Sequence, residues 1–441
     1  MIDLCEYAVM VGEKAGADEI EALWVRNIST IVEAELSELS KVTLTAEENM
    51  RIRVIKDKAL ASILTYRLDR DNVKIAVEKT VAAARASKKD EHWDSLPFPG
   101  NYPQVHVWDT GMENLSSEDM IKPVLKMLEV VPEDILVAGA GNQVILSNRA
   151  CVNSNGITHE DRGTVGLSGL AMVGILENSV TPAFEEIKFM RKYSPDPQRT
   201  AESLVTRINL FRKKKETASP GESQVIFSSE ALEALFRYTL FKAVSGENVA
   251  RGKSLLDGKE GEKIASSNLT LHDNGITPEG IYSREMDDEG IPHQDTVLIE
   301  KGVLQGFIWN DYWAKRTGYS STGNAFYDDQ IDEMALRQTT MVIAPGEYDM
   351  EELLNIKDGY YVLGLQGAHG SNPESGDFSV VCTPACRIRN GEITGGVSGM
   401  MVSGNVYSLL HEVDAVGRRM KANEISILPS IRFNNVNVAA Q

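Results

Sequence analysis

Cysteine is scarce in this chain. Only four occur in 441 residues, at positions 5, 151, 382 and 386, too few and too scattered for a disulfide framework. Cations are outnumbered as well. The formal charge of −19 argues against a nucleic-acid surface, because phosphate binding needs clustered Lys and Arg. The one notable basic run, Arg212-Lys213-Lys214-Lys215, ends an expected helix, where positive charge suits the dipole. Long apolar runs are missing. The longest, around 165–176, is broken by Ser168 and several glycines and is too short to span a bilayer. The opening residues carry acids where a signal peptide needs bases, and they offer no cleavage site. Together these absences give the expectation of a cytoplasmic protein that engages neither nucleic acid nor membrane.

What is present is the composition of a soluble globular protein, too long for one core. Residues 2–15 read as an amphipathic helix ended by Gly16. Residues 21–39 and 51–66 alternate apolar and polar side chains, as half-buried antiparallel strands do. Residues 72–87, 120–128 and 197–215 read as helices, and 135–146 and 162–174 as further strands. Three prolines mark 94–103 as a linker. Ser219-Pro220-Gly221 breaks the pattern, which divides the chain into domains 1–216 and 217–441. Beyond the break, short strands separated by glycines suit a mainly antiparallel, barrel-like β domain, with helices at 229–245, 311–317, 349–355 and 405–415. Strands and helices come in blocks, so the fold class is α+β.

The segment 228–246 organises the second half. Ser229 can cap a helix there, with Glu230 and Glu233 in its first turn. Glu233 and Arg237 form an i,i+4 pair, and Gly246 offers a left-handed close. Leu232, Leu235, Phe236, Leu240, Phe241 and Ala243 cover most of the remaining circumference, as in a buried helix.

Three near-motifs fail on spacing. Gly246 to Ser254 resembles a phosphate-binding loop but has five residues between its glycines and follows a helix. His411-Glu412 begins a zinc-protease motif, yet Ala415 stands where the second histidine belongs, so an exposed amphipathic helix is expected. Cys382 and Cys386 have three residues between them, with no second pair to complete a zinc site. The seven histidines never fall within ten residues of one another. His369 lies in the most glycine-rich stretch, 364–379, whose glycines let another chain approach closely. Gly367, His369, Gly370, Ser371, Asn372, Gly376, Asp377 and Ser379 are therefore candidates for lining a cavity or interface. Tight turns between strands are the plain alternative.

These residues also carry a resemblance. Gln366-Gly-Ala-His-Gly-Ser-Asn-Pro-Glu-Ser-Gly-Asp-Phe-Ser379, followed by Ile388-Arg-Asn-Gly-Glu-Ile393, resembles the glycine-rich signature of the TldD/PmbA family. So do Met286-Asp-Asp-Glu-Gly-Ile-Pro292, the segment 297–306, Ser321-Thr-Gly-Asn-Ala325 and Val402-Ser-Gly-Asn405. The motifs occur in order over nearly the whole chain. In the TldD-like kind, an HExxxH helix and a distant cysteine would hold zinc. With the helix set in register by the strand at 225–227, Phe236 and Phe241 stand for the two histidines and Arg237 for the glutamate. No cysteine follows Cys386. Phenylalanine has no lone pair for a metal, and arginine is no base at neutral pH.

The resemblance therefore implies the PmbA or TldE kind, a subunit with no catalytic residues or metal of its own. It would join a zinc-bearing TldD-like partner in degrading or trimming unfolded peptides. The family has also been named for modulating DNA gyrase and for maturing a peptide antibiotic. Two other readings stand beside this one. The chain could be a stand-alone homodimer that holds extended peptides by strand addition, or a peptidase with an unrelated site such as His369 with Asp377.

Overall fold

The computed structural model describes residues 1–328 and 333–440. The first half is built on one antiparallel sheet of β1 (Glu19–Glu35), β2 (Glu38–Lys56), β3 (Ala59–Thr65), β4 (Ile135–Asn153), β5 (Thr158–Gly174) and β6 (Phe184–Met190), in the order β3-β2-β1-β4-β5-β6. Its helices are α1 (Ile2–Ala15), α2 (Arg70–Ala86), α3 (Thr110–Glu113), α4 (Ser117–Glu129) and α5 (Pro197–Lys213). Local sequence sets their ends. Gly16 closes α1 at φ 90°, Asp69 caps α2 through the Asn72 amide, and Ser116 with Asp119 forms a capping box on α4.

The period of two along the strands decides what faces what. Ile20, Ala22 and Trp24 of β1, with Met50, Ile52 and Val54 of β2, form a core with α1 and α2. The alternate residues, Glu21, Leu23, Arg51 and Arg53, are buried too. Leu23 packs on the opposite side against Cys151, Ile157 and Met286. Residues 40–49 are mostly exposed and show no burial alternation, so the outer half of β2 was not legible from pattern. Leu36 and Ser37, at φ 48° and 68°, make the hairpin turn inside the expected 21–39 strand.

The second half holds β7 (Lys215–Glu216), β8 (Gly221–Phe227), β9 (Leu271–Asn274), β10 (Asp295–Glu300), β11 (Val303–Leu304), β12 (Ala325–Asp328), β13 (Glu333–Leu336) and β14 (Met341–Ile343). It continues with β15 (Asp358–Val362), β16 (Leu365–Gln366), β17 (Asp377–Cys382), β18 (Ala385–Arg389), β19 (Glu392–Val397), β20 (Met400–Asn405), β21 (Val413–Ala422) and β22 (Ser426–Ala440). Its helices are α6 (Ser229–Phe236), α7 (Leu240–Ala243), α8 (Gly246–Ala250), α9 (Asp311–Thr317), α10 (Met350–Leu354) and α11 (Val406–His411). Fourteen strands make one sheet running from β11 through β22 and β8 to β7, with β16, β17, β20 and β21 branching from it. The fold is α+β, but the sheet is open: among the described residues β11 and β7 do not pair. The barrel-like expectation is corrected accordingly. Pairings are antiparallel except β14 with β22, β15 with β8, and β19 with β7.

The expected helix at 229–245 is two. Ser228, not Ser229, caps α6 by accepting the Ala231 amide, and the helix stops at Phe236. Thr239 takes φ −127°, ψ −89° and turns its hydroxyl back onto the Leu235 carbonyl, a bond that competes with the helical ladder. Gly246 does not close a helix. It begins α8, where a Cβ would lie 2.2 Å from the Trp309 ring, so only glycine fits beneath that indole. The expected 405–415 helix is α11 alone, with Val406, Leu409 and Leu410 buried, and the chain turns to strand at Val413.

Candidate functional site

Strand β8 delivers the chain into α6 at Ser228, so this helix lies between core and surface. Phe236 and Phe241 sit in the core with ring centroids 6.0 Å apart. Neither reaches the surface. Arg237 does, and its guanidinium bonds Glu233 at 2.9 Å and Glu424 at 2.7 Å. Both carboxylates raise the Arg237 pKa against the opposing effect of burial. Glu233 is itself buried and accepts the Ile425 amide and the Ser426 hydroxyl. The only acid at the centre of the helix is therefore occupied by hydrogen bonds. Among the described residues no group of three His, Cys, Asp or Glu side chains could hold a metal ion.

The first turn of α6 borders a cleft of about 940 Å³. One wall is β6 with α5, the other β21 with α10, and Ser228, Ser229 and Glu230 form part of its floor. Lys421 spans the two halves, 2.8 Å from Glu186 of β6 and 2.6 Å from Glu230 of α6. Arg207 bonds the same Glu186 at 2.6 Å. β6 is the last strand of its sheet. β21 pairs with β22 on one side, and on the other, among the described residues, only Gly417 and Arg418 meet backbone partners, at Gly346 and Tyr348. Two strand edges with free backbone groups thus face one cleft, the geometry that accepts an added strand. Sequence pattern gave no sign of this cleft, because it depends on which strands end their sheets.

The glycine-rich segment folds as turns. Ala368–Gly370 is a single 3₁₀ turn entered through Gly367 at φ 83°. The Asn372 side chain accepts the amides of Glu374 and Ser375. Asp377 starts β17, and its carboxylate takes hydrogen bonds from Asn405 at 2.8 Å and Ser375 at 2.7 Å, which lower its pKa. His369 is exposed and meets the Tyr238 ring edge-on. It makes no hydrogen bond to Asp377 among the described residues. Gly370, Asn372 and Ser379 are exposed, while Ser371 and Gly376 are buried. The Ser371 hydroxyl is unpartnered. Cys382 and Cys386 are also buried, and burial raises both thiols to about 12.

A feature that sequence reasoning missed lies where the halves meet. The loop at 280–294 is clamped to the first sheet by ion pairs that are buried or nearly so. Arg53 bonds Glu21 at 3.1 Å and Glu289 at 2.9 Å. Arg149 bonds Asp161 at 3.0 Å and Asp288 at 2.6 Å. Asp287 accepts the amides of Glu289, Ile291 and Ala325, while burial and the neighbouring Glu289 push its pKa up. Gly290 sits at φ 77°, and a Cβ there would lie 2.8 Å from Ile157. The signal was present in Met286-Asp-Asp-Glu-Gly-Ile-Pro292, three consecutive acids in a glycine-proline turn. The arginine partners of Glu289 and Asp288 lie more than a hundred residues away, on β2 and β4.

An α+β chain with these two sheets and a helix emerging from β8 into the cleft defines a class, and comparison with known proteins identifies it. Residues 220–440 match the family model described as "PmbA/TldA metallopeptidase C-terminal domain". The chain belongs to this PmbA/TldD metallopeptidase family. It is similar to TldE from Thermococcus kodakarensis, at 32% identity and a TM-score of 0.95, covering 99% of this chain and 100% of that one. It is 26% identical to the uncharacterized protein MJ0231 of Methanocaldococcus jannaschii, over 97% of this chain and 98% of the relative. A metalloprotease of Methanothermobacter thermautotrophicus matches at 32% identity over 45% of this chain and 44% of its own length.

Proposed function

We propose that this chain is the subunit of a TldD/TldE-type metalloprotease that carries no zinc. It assembles with a TldD-type partner that supplies metal and base, and the pair degrades or processes unfolded peptides. The observation that carries the reading is the end-to-end likeness to the Thermococcus TldE. The packing of α6 and α7 supports it: Phe236 and Phe241 belong to the core and Glu233 is held by Arg237, Ile425 and Ser426, leaving no free metal donor among those three positions and Arg237. The hairpin tip of β1 and β2 supports association. Leu36 and Leu44 are 82% and 71% exposed, an apolar surface of the kind partners cover. The test mixes the chain with a TldD-type subunit from the same cell on a sizing column. A co-eluting pair that cleaves casein-like peptides, with neither metal nor activity in this chain alone, is the expected result. Stoichiometric zinc in the chain alone would overturn it.

A second reading draws on the open edges of β6 and β21. In it the chain holds an extended peptide in the cleft by strand addition, with or without a catalytic partner. Binding of unfolded peptide by the isolated chain, without any heteromer, would favour it.

A further inference from the structure

Beside the clamp between the halves lies a second, smaller cavity of about 50 Å³. That is room for a few water-sized groups, since one needs roughly 10–15 Å³. Its charged and titratable lining is Arg149, Arg284, Arg337 and His293, with the carboxylates of Asp287 and Asp288. The cations around it are not paired alike. Arg149 and Arg284 are matched by Asp161 and Asp288. Asp287 is pushed towards its neutral form by burial and by Glu289. Arg337 is left over, with no carboxylate in ion-pair range among the described residues. Its guanidinium carbon lies 3.5 Å from the Phe326 ring centre and 4.4 Å from that of Tyr282. Both rings hold the guanidinium by cation–π contact and offer its N–H groups no acceptor atom.

The desolvation is felt across the cluster. Burial lowers the Arg337 pKa, and burial together with Arg149 lowers Arg284 to about 10. His293 is buried with an unpartnered Nδ1, and burial, then Arg149, brings its pKa down to about 4. It stays neutral and adds no charge at pH 7. Arg337 is half-buried, and a cation held partly out of water without a counter-charge is steadied by a bound anion.

We propose that this cavity is a binding site for a single carboxylate, held by Arg337 with Arg284 beside it. One guanidinium without an ion pair suits a monoanion. The planar fork of a guanidinium packed against two rings suits a carboxylate. The volume admits the carboxylate group itself and little more. The group could arrive as the C-terminus of a peptide or as an acidic side chain.

The test uses the intact chain alone, so it does not depend on assembly with a metalloprotease partner. Three short alanine peptides are titrated calorimetrically: one with a free C-terminus, its C-terminal amide, and the amide carrying one glutamate. At least one carboxylate-bearing peptide should bind about tenfold or more tightly than the neutral amide. Preference for the free acid assigns the site to chain ends, and preference for the glutamate peptide to side chains. Arg337→Ala should abolish the preference and Arg337→Lys should retain part of it. If the alanine variant does not fold, Arg337→Gln takes its place. Equal binding of all three peptides, or a preference that survives loss of Arg337, overturns the proposal.

Discussion

At the scale of single residues, a few side chains do two jobs that pattern cannot separate. Phe236 is apolar because it is core, whatever stands at that position in zinc-bearing relatives. Phe236→Ala should cost about 3–5 kcal/mol of stability by chemical denaturation, whereas a surface position would change little. Asp273 gives a test in pH. It is fully buried, accepting from Asn324 and from the Thr339 amide, and burial raises its pKa from 3.8 to about 6. The native state therefore holds this proton more tightly than the unfolded chain does. The group's contribution is greatest below about pH 4 and is lost as pH rises towards 6. Asp273→Asn removes the titration. The stability of the variant relative to the parent should rise by up to about 3 kcal/mol across that window. A flat difference would mean that Asp273 is ionised in the native state at pH 4. Residue identity foretold that Glu233 and Arg237 would pair. It did not foretell that Glu233 also caps the turn at Ile425 and Ser426, because those partners lie nearly two hundred residues away.

Elements were legible where their signals are local. The first helix and the one at 311–317 have the ends expected, set by Gly16 and Gly318 in left-handed conformations. Elements failed where a distant contact decides. The 228–246 segment has helical periodicity throughout, yet Thr239 breaks it and the Trp309 ring fixes Gly246 as the start of another turn. The clamp between the halves is the clearest long-range element. Arg149→Met should cost up to about 3–5 kcal/mol in thermal or chemical unfolding, because Asp288 would lose its ion pair and buried Asp161 would keep only Arg284. The β1–β2 hairpin predicts the opposite behaviour. Leu36→Glu with Leu44→Lys should leave the melting temperature nearly unchanged and weaken association with the partner subunit, read by sizing or sedimentation. Unaltered assembly would remove the hairpin from the interface.

At the scale of the whole molecule, the α+β class and the family were both readable, the first from blocks of strands and helices and the second from ordered glycine-rich motifs. The openness of the large sheet was not, because closure depends on whether β11 and β7 pair, and neither two-residue strand announces its neighbours. Nor was the cleft, which arises only when two sheets end beside each other. The account of the molecule is that the fold of a metallopeptidase family is kept here while the helix at its centre is packed as core. The most direct test is the metal content of the purified chain and of its assembly with a TldD-type subunit. The account predicts no zinc in the chain alone and one zinc per pair in the assembly. One equivalent of zinc bound by the chain on its own, removable by a chelator, would contradict it.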